Sequence, residues 1–490
     1  MSASPSPAIL WFRNDLRLAD NPALHAASEG EVLPVYVLDD AAAGRWAAGG
    51  AGRWWLHYSL EALAAALKEK GAELLLLRGE AATLIPQLAQ KIGASAVHAC
   101  SLIAPWARER DAAIAKAMEQ AGGELVLHNP FLTTPEAIRT GQGKPYSVYT
   151  PFANAVMKLG DPPPAIPAPK RLDGVKPPVK GETLAQLGLL PSKPVPDWAA
   201  AFNEMWEPGE AGAHRQLDRF LEDALADYPA GRNRPGEDGS SRLSPHLHWG
   251  EVSPRQVWHA VRQRKAPATA TDTYLKEIVW REFSHSILWH QPELPDKPLH
   301  AEYGHFPYRR DPKAQKAWQQ GRTGYPIVDA GMRQLWQHGW MHNRVRMIVA
   351  SVFIKHLLQP WQDGEAWFWD TLVDADLGNN SFNWQWVAGC GADASPFFRV
   401  FNPVLQGEKF DADGAYVRTF VPELAKLPDR WLHRPWEAPA DVLRGAGVTL
   451  GRDYPEPIID HATGRARALE ALATMKAQAA KGMPAEAERG

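Results

Sequence analysis

The chain has 490 residues, too long for one ordinary domain and long enough for two or three. With 45% apolar and 22% charged residues it is globular, and a net charge of −3 confines any polyanion site to a local basic patch. Its 2 cysteines, Cys100 and Cys390, exclude a disulfide framework and a thiolate metal cluster and favour a reducing compartment.

No apolar run reaches the roughly 18 residues of a spanning helix, and the start is polar and small, so neither a membrane span nor a signal peptide is expected. The 21 tryptophans are about threefold the usual share. Leu and Ile fill cores with no polar atom to satisfy, so this excess points to stacking on flat ligands or to electron transfer between rings.

In chain order, residues 8–12, 32–38, 73–77, 96–100 and 124–128 are short apolar runs that predict strands. Residues 53–70 and 107–121 predict amphipathic helices between them. The alternation predicts βαβ units and a five-stranded, parallel, Rossmann-like α/β sheet. No G-x-G-x-x-G follows the first strand, so the usual dinucleotide fingerprint is missing there. Residues 161–197 hold ten of the 42 prolines, a density that ends helices and central strands and predicts an extended connector. Beyond it the pattern is helical and Trp-rich, with helices expected over 214–227, 254–264, 271–290, 326–339, 344–358 and 366–372. The Ala-, Glu- and Lys-rich helix after Thr463 is expected to be a solvated end.

Four stretches could carry chemistry. Gly239-Ser240-Ser241-Arg242-Leu243-Ser244-Pro245 offers hydroxyls, amides and an arginine ahead of a helix: a phosphate cradle, or a plain N-cap. Glu277, Trp280 and Arg281 share one helix face, either to read a planar polar ligand or as a surface ion pair beside an indole. Trp340, Asn343, Arg344 and Met347 are expected on one face with Arg346 to the side, either paired or against a ligand. Asp374 and Asp376 precede Asn379-Asn380 and Trp384-Gln-Trp386; no third oxygen-rich segment supports a metal there, and none is expected. In a helix Trp384 and Trp386 face different things, about 200° apart.

Together with Trp11-Phe-Arg-Asn-Asp-Leu-Arg17, Asp20-Asn21, Gly324-Tyr-Pro-Ile-Val-Asp329 and Phe401-Asn402-Pro403, these pieces resemble the photolyase/cryptochrome flavoproteins, in family order over roughly residues 8–435. The resemblance implies an α/β antenna domain (1–130), a linker (131–200), a helical FAD-binding catalytic domain (201–475) and a polar tail (476–490). It implies non-covalent FAD, its phosphates on Tyr228 and on Ser240, Ser241, Arg242, Leu243 and Ser244, with Tyr274 and Arg281 also at the cofactor. Asp374 and Asp376 would bind the flavin and ribose side, Arg346 would pair with Asp374, and Asn380 would sit beside flavin N5. Plant cryptochromes place Asp there; Asn is the photolyase choice.

The resemblance also implies a substrate. Photolyases for (6-4) photoproducts carry two histidines where this chain has Asn343 and Met347. Trp280 and Trp386 would wall a dimer pocket and Glu277 would hydrogen-bond the flipped pyrimidines, with Arg344, Arg399 and Lys409 on DNA phosphates. The implied activity is light-driven splitting of cyclobutane pyrimidine dimers in duplex DNA, by one electron lent from reduced FAD and returned. A blue-light-sensing photoreceptor is the alternative.

Trp384 and Trp361 match the inner photoreduction tryptophans; the outer position is Tyr308, with Trp318 as a possible substitute exit. Folate-binding members carry an Asn-Glu pair where this chain has a Pro105-Trp106-Ala107-Arg108 loop, so the antenna is a deazaflavin, a differently held folate, or none. The implied protein is a monomer in the cytoplasm or, in a bacterium, at the nucleoid.

Overall fold

β1 (Ala8–Phe12), β2 (Glu31–Leu38), β3 (Leu75–Arg78), β4 (Ala96–Cys100) and β5 (Glu124–His128) form a parallel sheet in the order β3-β2-β1-β4-β5. This is a computed structural model, and it describes residues 6–191, 197–393 and 398–482. The strands stand where the apolar runs predict them, except that β2 begins one residue earlier and β3 runs over Leu75–Arg78, two residues late at its start, where Val35 pairs with Leu75. Ile9, Leu10, Trp11 and Phe12 are all buried. That is why the run does not alternate: a sheet covered on both faces buries every side chain.

By contacts, the described residues form two compact units. The first holds those of Met1–Ala226, Ser241–Pro292 and Val373–Gly378; the second holds those of Asp227–Ser240, Glu293–Leu372 and Asn379–Gly490.

In the first unit, helices Gly50–Lys70, Ala81–Ile92 and Pro105–Gln120 accompany the sheet. Helix Ala81–Ile92 carries Pro86 inside it, which hides it from a sequence pattern that treats proline as a breaker. Residues 105–108 are the first turn of a helix and not a loop, because proline suits the N1 position. Arg108 Nη1 donates to the Trp289 carbonyl at 3.0 Å, and its guanidinium lies 3.7 Å from the Trp289 ring centroid.

The described part of the proline-rich connector is largely extended, with a hydrogen-bonded turn over 184–188. Asp173–Gly174 (β6) pairs with the start of β2, and Glu182 N donates to Leu76 O at 2.8 Å. Residues 192–196 of the connector lie outside the described residues.

The Trp11–Asn21 signature ties this unit together. Arg17 Nη1 donates to Gly250 O at 2.8 Å, Asp20 accepts from Ile166 N at 2.9 Å and pairs with Arg255 at 2.9 Å, and Asn21 caps helix Pro22–Ala27. Helix Glu210–Arg219 passes into a π-helical turn, Phe220–Ala224, where one helix over 214–227 was expected; helix Pro254–Gln263 follows prediction, and helix Ala268–His290 starts three residues early.

The second unit is helical. Helix Asn343–Ser351 gives way to a π-helical turn, Val352–His356, so the expected 344–358 helix is two segments. Helix Trp361–Thr371 starts five residues before its predicted 366. Helix His461–Ala480 corrects the expectation of a solvated end. It buries Gly464, Ala468, Ala471 and Met475, packing the last two against Phe306 and Leu358. Small residues let that helix approach closely, and an amphipathic reading misses such a face. Residues 483–490 lie outside the described residues. Among the described residues no helix is long and apolar enough to cross a membrane.

Candidate functional site

In the first unit, helix Ala268–His290 organises the predicted residues. Tyr274 is buried and hydrogen-bonds the Ser241 side chain; burial raises its phenol, and that bond and Glu277 act in opposite senses upon it. Gln216 Nε2 donates to Ser241 O at 2.6 Å, and Leu243 N donates to Ser241 Oγ at 3.4 Å. Arg242 takes the left-handed conformation, φ 51°. Such a backbone is uncommon for a non-glycine residue and clusters at functional sites. Two residues further on, Ser244 opens helix Ser244–His248. Arg281 Nη2 donates to Leu247 O at 3.2 Å, on that same helix.

Asp376 faces His285 Nε2 at 3.2 Å and His248 Nδ1 at 3.7 Å. Burial pushes the Asp376 carboxyl up, but His285 and then His248 outweigh it and hold it well below the usual carboxylate range. Burial keeps the His285 imidazole below its ordinary value. The two side chains therefore form a close carboxylate–imidazole pair. Asp374 is buried, and its segment is pinned by Trp249 Nε1 donating to Val373 O at 3.0 Å. Among the described residues no three His, Cys, Asp or Glu side chains are grouped to hold a metal ion.

Several residues here escape sequence reasoning: Gln216, His248, His285 and Tyr149. Tyr149 stacks on half-buried Trp280 with ring centroids 3.4 Å apart. Only a long-range contact reveals such a partner, and no local pattern marks it.

In the second unit, a Cβ on Gly239 would fall 2.6 Å from the Gly231 carbonyl group, so only glycine lets the segment before Ser240 lie against residue 231. Tyr228 is buried on that neighbouring turn, under the Arg232 guanidinium at 5.4 Å.

Helix Leu377–Ala388 carries Asn380 and Trp384 one turn apart. Asn380 Nδ2 donates to Glu365 O at 3.0 Å, and the Ser381 hydroxyl bonds the Glu365 carboxylate. Trp384 lies on Gly364, where a Cβ would come within 2.2 Å of its ring, and one turn along that helix is buried Trp361. Trp318 is 6.3 Å from Trp384, centroid to centroid, with Phe368 at 5.0 Å and Phe353 at 6.1 Å. Trp318 is 0% exposed, which corrects its reading as a substitute exit: it extends the cluster inward. Tyr308 is half-buried beside Phe306 at 4.8 Å, and burial raises its phenol well above the ordinary value. Trp386 is half-buried, its Nε1 donating to Asp393 O at 3.1 Å, while Trp384 faces the interior, the divergence the helical spacing predicts.

The helix expected to align Trp340, Asn343, Arg344 and Met347 begins only at Asn343, because the His342 side chain caps it. Trp340 precedes it, which corrects that shared face. Asn343 is exposed. Arg344 approaches Met347 Sδ at 3.8 Å, donates to Asn233 Oδ1 at 2.6 Å and lies 4.5 Å from the Phe410 ring centroid. Arg346 Nε donates to Met341 O at 2.7 Å. Arg399 and Lys409 are exposed, and the Arg399 carbonyl accepts from buried Lys355 at 2.8 Å.

In the first unit, hydroxyls, an arginine and backbone amides at 241–244 are donors of the kind a diphosphate takes, and the carboxylates of 374 and 376 are acceptors of the kind ribose hydroxyls take. The donor set therefore fits FAD. A parallel α/β sheet followed by helices with such a set is the layout of a flavin-dependent protein whose indoles can pass electrons.

The family profile for DNA photolyase matches residues 8–170, and that for the FAD binding domain of DNA photolyase matches 274–474. A deoxyribodipyrimidine photo-lyase of Agrobacterium fabrum is 50% identical over 97% of this chain and 99% of its own length. The crystal structure of a bacterial class III photolyase from Agrobacterium tumefaciens superposes with a TM-score of 0.94 at 49% identity, covering 97% of this chain and 99% of that one. Cryptochrome-2 of Arabidopsis thaliana is 37% identical over 96% of this chain and 79% of its own length. The chain belongs to the photolyase/cryptochrome family.

Proposed function

We propose that this chain repairs cyclobutane pyrimidine dimers in ultraviolet-damaged duplex DNA, using light and a non-covalent FAD. The observation that carries the reading is Asn380. One N–H of its amide goes to the Glu365 carbonyl, which orients the side chain, and its carboxamide oxygen can only accept. An acceptor at that point favours a flavin that carries hydrogen on N5, the reduced form that repair requires. The higher identity to a photo-lyase than to a plant cryptochrome supports the same side.

Reduced FAD, when bound and excited by light, supplies one electron and takes it back, so the ring is split with no net redox change. The protein's part is to bind and orient. Ser240, Ser241, Arg242, Leu243, Ser244, Tyr228, Tyr274 and Arg281 hold the diphosphate side, Asp374 and Asp376 the ribose and flavin side, and Arg346 answers Asp374. Trp280 and Trp386 wall the lesion, and Glu277 hydrogen-bonds its pyrimidine edge. Asn343 and Met347 supply no acid, which excludes the chemistry of (6-4) repair. Arg344, Arg399 and Lys409 bind phosphates, and flipping the lesion costs a few kcal/mol, least at a poorly stacked site. Trp384 and Trp361 feed electrons to oxidised cofactor, with Tyr308 as the outer donor.

By this reading residues 1–130 are the antenna domain, 131–200 the linker, 201–475 the catalytic domain and 476–490 a polar tail. The protein acts as a monomer in the cytoplasm and, if its source is a bacterium, at the nucleoid. The test is illumination of a mixed substrate. Dimers should disappear and (6-4) lesions persist; repair of (6-4) lesions with dimers untouched would refute the pocket assignment.

A further inference from the structure

We infer that Tyr149, outside the helical catalytic region, is a positioning residue for the lesion: it holds Trp280 from behind and fixes which indole face meets the flipped dimer. The inference rests on the lesion-wall role proposed for Trp280. Tyr149 opens helix Tyr149–Met157, within the stretch that joins the α/β domain to the helical one. Its ring and that of Trp280 are parallel to within 7°, with centroids 3.4 Å apart, closer and flatter than ordinary core aromatic pairs. Its hydroxyl donates to the Lys276 carbonyl at 2.7 Å. In a helix that carbonyl also receives the Trp280 amide, four residues on. The phenol is therefore tied to the backbone that carries the indole as well as to the ring. Phe283 meets both rings edge-on, at 5.9 and 6.0 Å, and is braced by Phe152 at 5.1 Å from the same linker helix.

A ring stacked on one side can bind a flat ligand only on the other. An indole at a pocket mouth has two rotatable bonds, and a stack plus a hydrogen bond removes that freedom before the ligand arrives. Binding then spends none of its energy on ordering the wall. Tyr149 acts on the lesion only through Trp280, and it has no part in recognising undamaged duplex.

The test uses the full-length, FAD-loaded protein with its flavin chemically reduced, and measures Kd for a duplex holding one dimer and for the same duplex undamaged. Tyr149→Phe keeps the stack and loses only the hydrogen bond, so its affinity for the dimer duplex should fall between those of wild type and Tyr149→Leu, with the undamaged duplex unchanged. Tyr149→Leu should bind the dimer duplex about five- to tenfold more weakly and leave the undamaged duplex unchanged. In a cycle with Trp280→Leu, the Tyr149→Leu loss should vanish, because a residue acting through Trp280 has nothing left to position. Additive losses, or a dimer affinity equal to wild type in Tyr149→Leu, would overturn the inference. Should Tyr149→Leu fail to keep FAD, Tyr149→Met fills the same space without a flat ring and is read identically. Loss of FAD in both would also overturn it, by making the ring structural. If wild-type protein itself does not prefer the dimer duplex, the lesion reading falls, and this inference with it.

Discussion

Trp384 owes its place to a missing methyl group. Gly364 leaves the surface on which the indole lies, and Phe368 and Trp318 close around it. We expect Trp384→Phe to abolish photoreduction of oxidised flavin while leaving repair nearly intact once flavin is reduced chemically. Photoreduction rates with a fixed external donor check this, and a normal rate would place the electron route elsewhere. Tyr308→Phe removes only the oxidisable hydroxyl. With Trp318 sealed from solvent, it should slow photoreduction strongly.

Glu282 gives a second test at this scale. Its carboxyl is buried, accepts from Thr133 N at 3.3 Å and sits 3.5 Å from the Arg281 guanidinium. Burial outweighs these and pushes its pKa up to about 7. A raised carboxyl favours the folded state in its protonated form, so that stability is present below about pH 4 and is lost as pH rises through 7. Glu282→Gln should gain relative to wild type between pH 5 and 8, by at most about 3 kcal/mol. Thermal melts across that range decide it; a difference flat with pH would mean the carboxyl is ionised throughout.

Among the elements, strands and long helices are legible because their burial is regular. β1 reads as a strand because all its later residues are buried, whereas the order β3-β2-β1-β4-β5 is visible only in the structure. Helix Ala81–Ile92 and the start at Asn343 are not legible, since an internal proline and a histidine cap both contradict the simple signals. The final helix is misread because its buried face is made of Gly and Ala. Gly364→Ala measures how far packing overrides propensity. An exposed mid-helix Gly→Ala gains about 1 kcal/mol. Here the added Cβ collides with Trp384, so we expect a net loss of about 1–3 kcal/mol by denaturant melts, together with slower photoreduction. A stabilised variant with normal photoreduction would show that the indole has room to move.

Over the whole molecule, the residues of the candidate site were legible in kind but not in support. Motif order marks Asp376, Asn380 and Trp280. It cannot show that His285 and His248 hold Asp376 ionised, that Glu365 turns Asn380, or that Tyr149 backs Trp280, because each partner is distant in sequence. A net charge of −3 makes DNA binding depend on a few local cations. Affinity for duplex should fall with salt, and Arg344→Ala and Lys409→Ala should each reduce the log–log slope by about one. Filter binding between low and physiological salt checks this; unchanged slopes would point those side chains elsewhere. The central claim is light-driven dimer repair. Purified FAD-loaded protein, chemically reduced and mixed with dimer-containing duplex, should remove the dimers under blue light and leave them intact in the dark. Dimers that persist under light in the presence of bound, reduced flavin would contradict it.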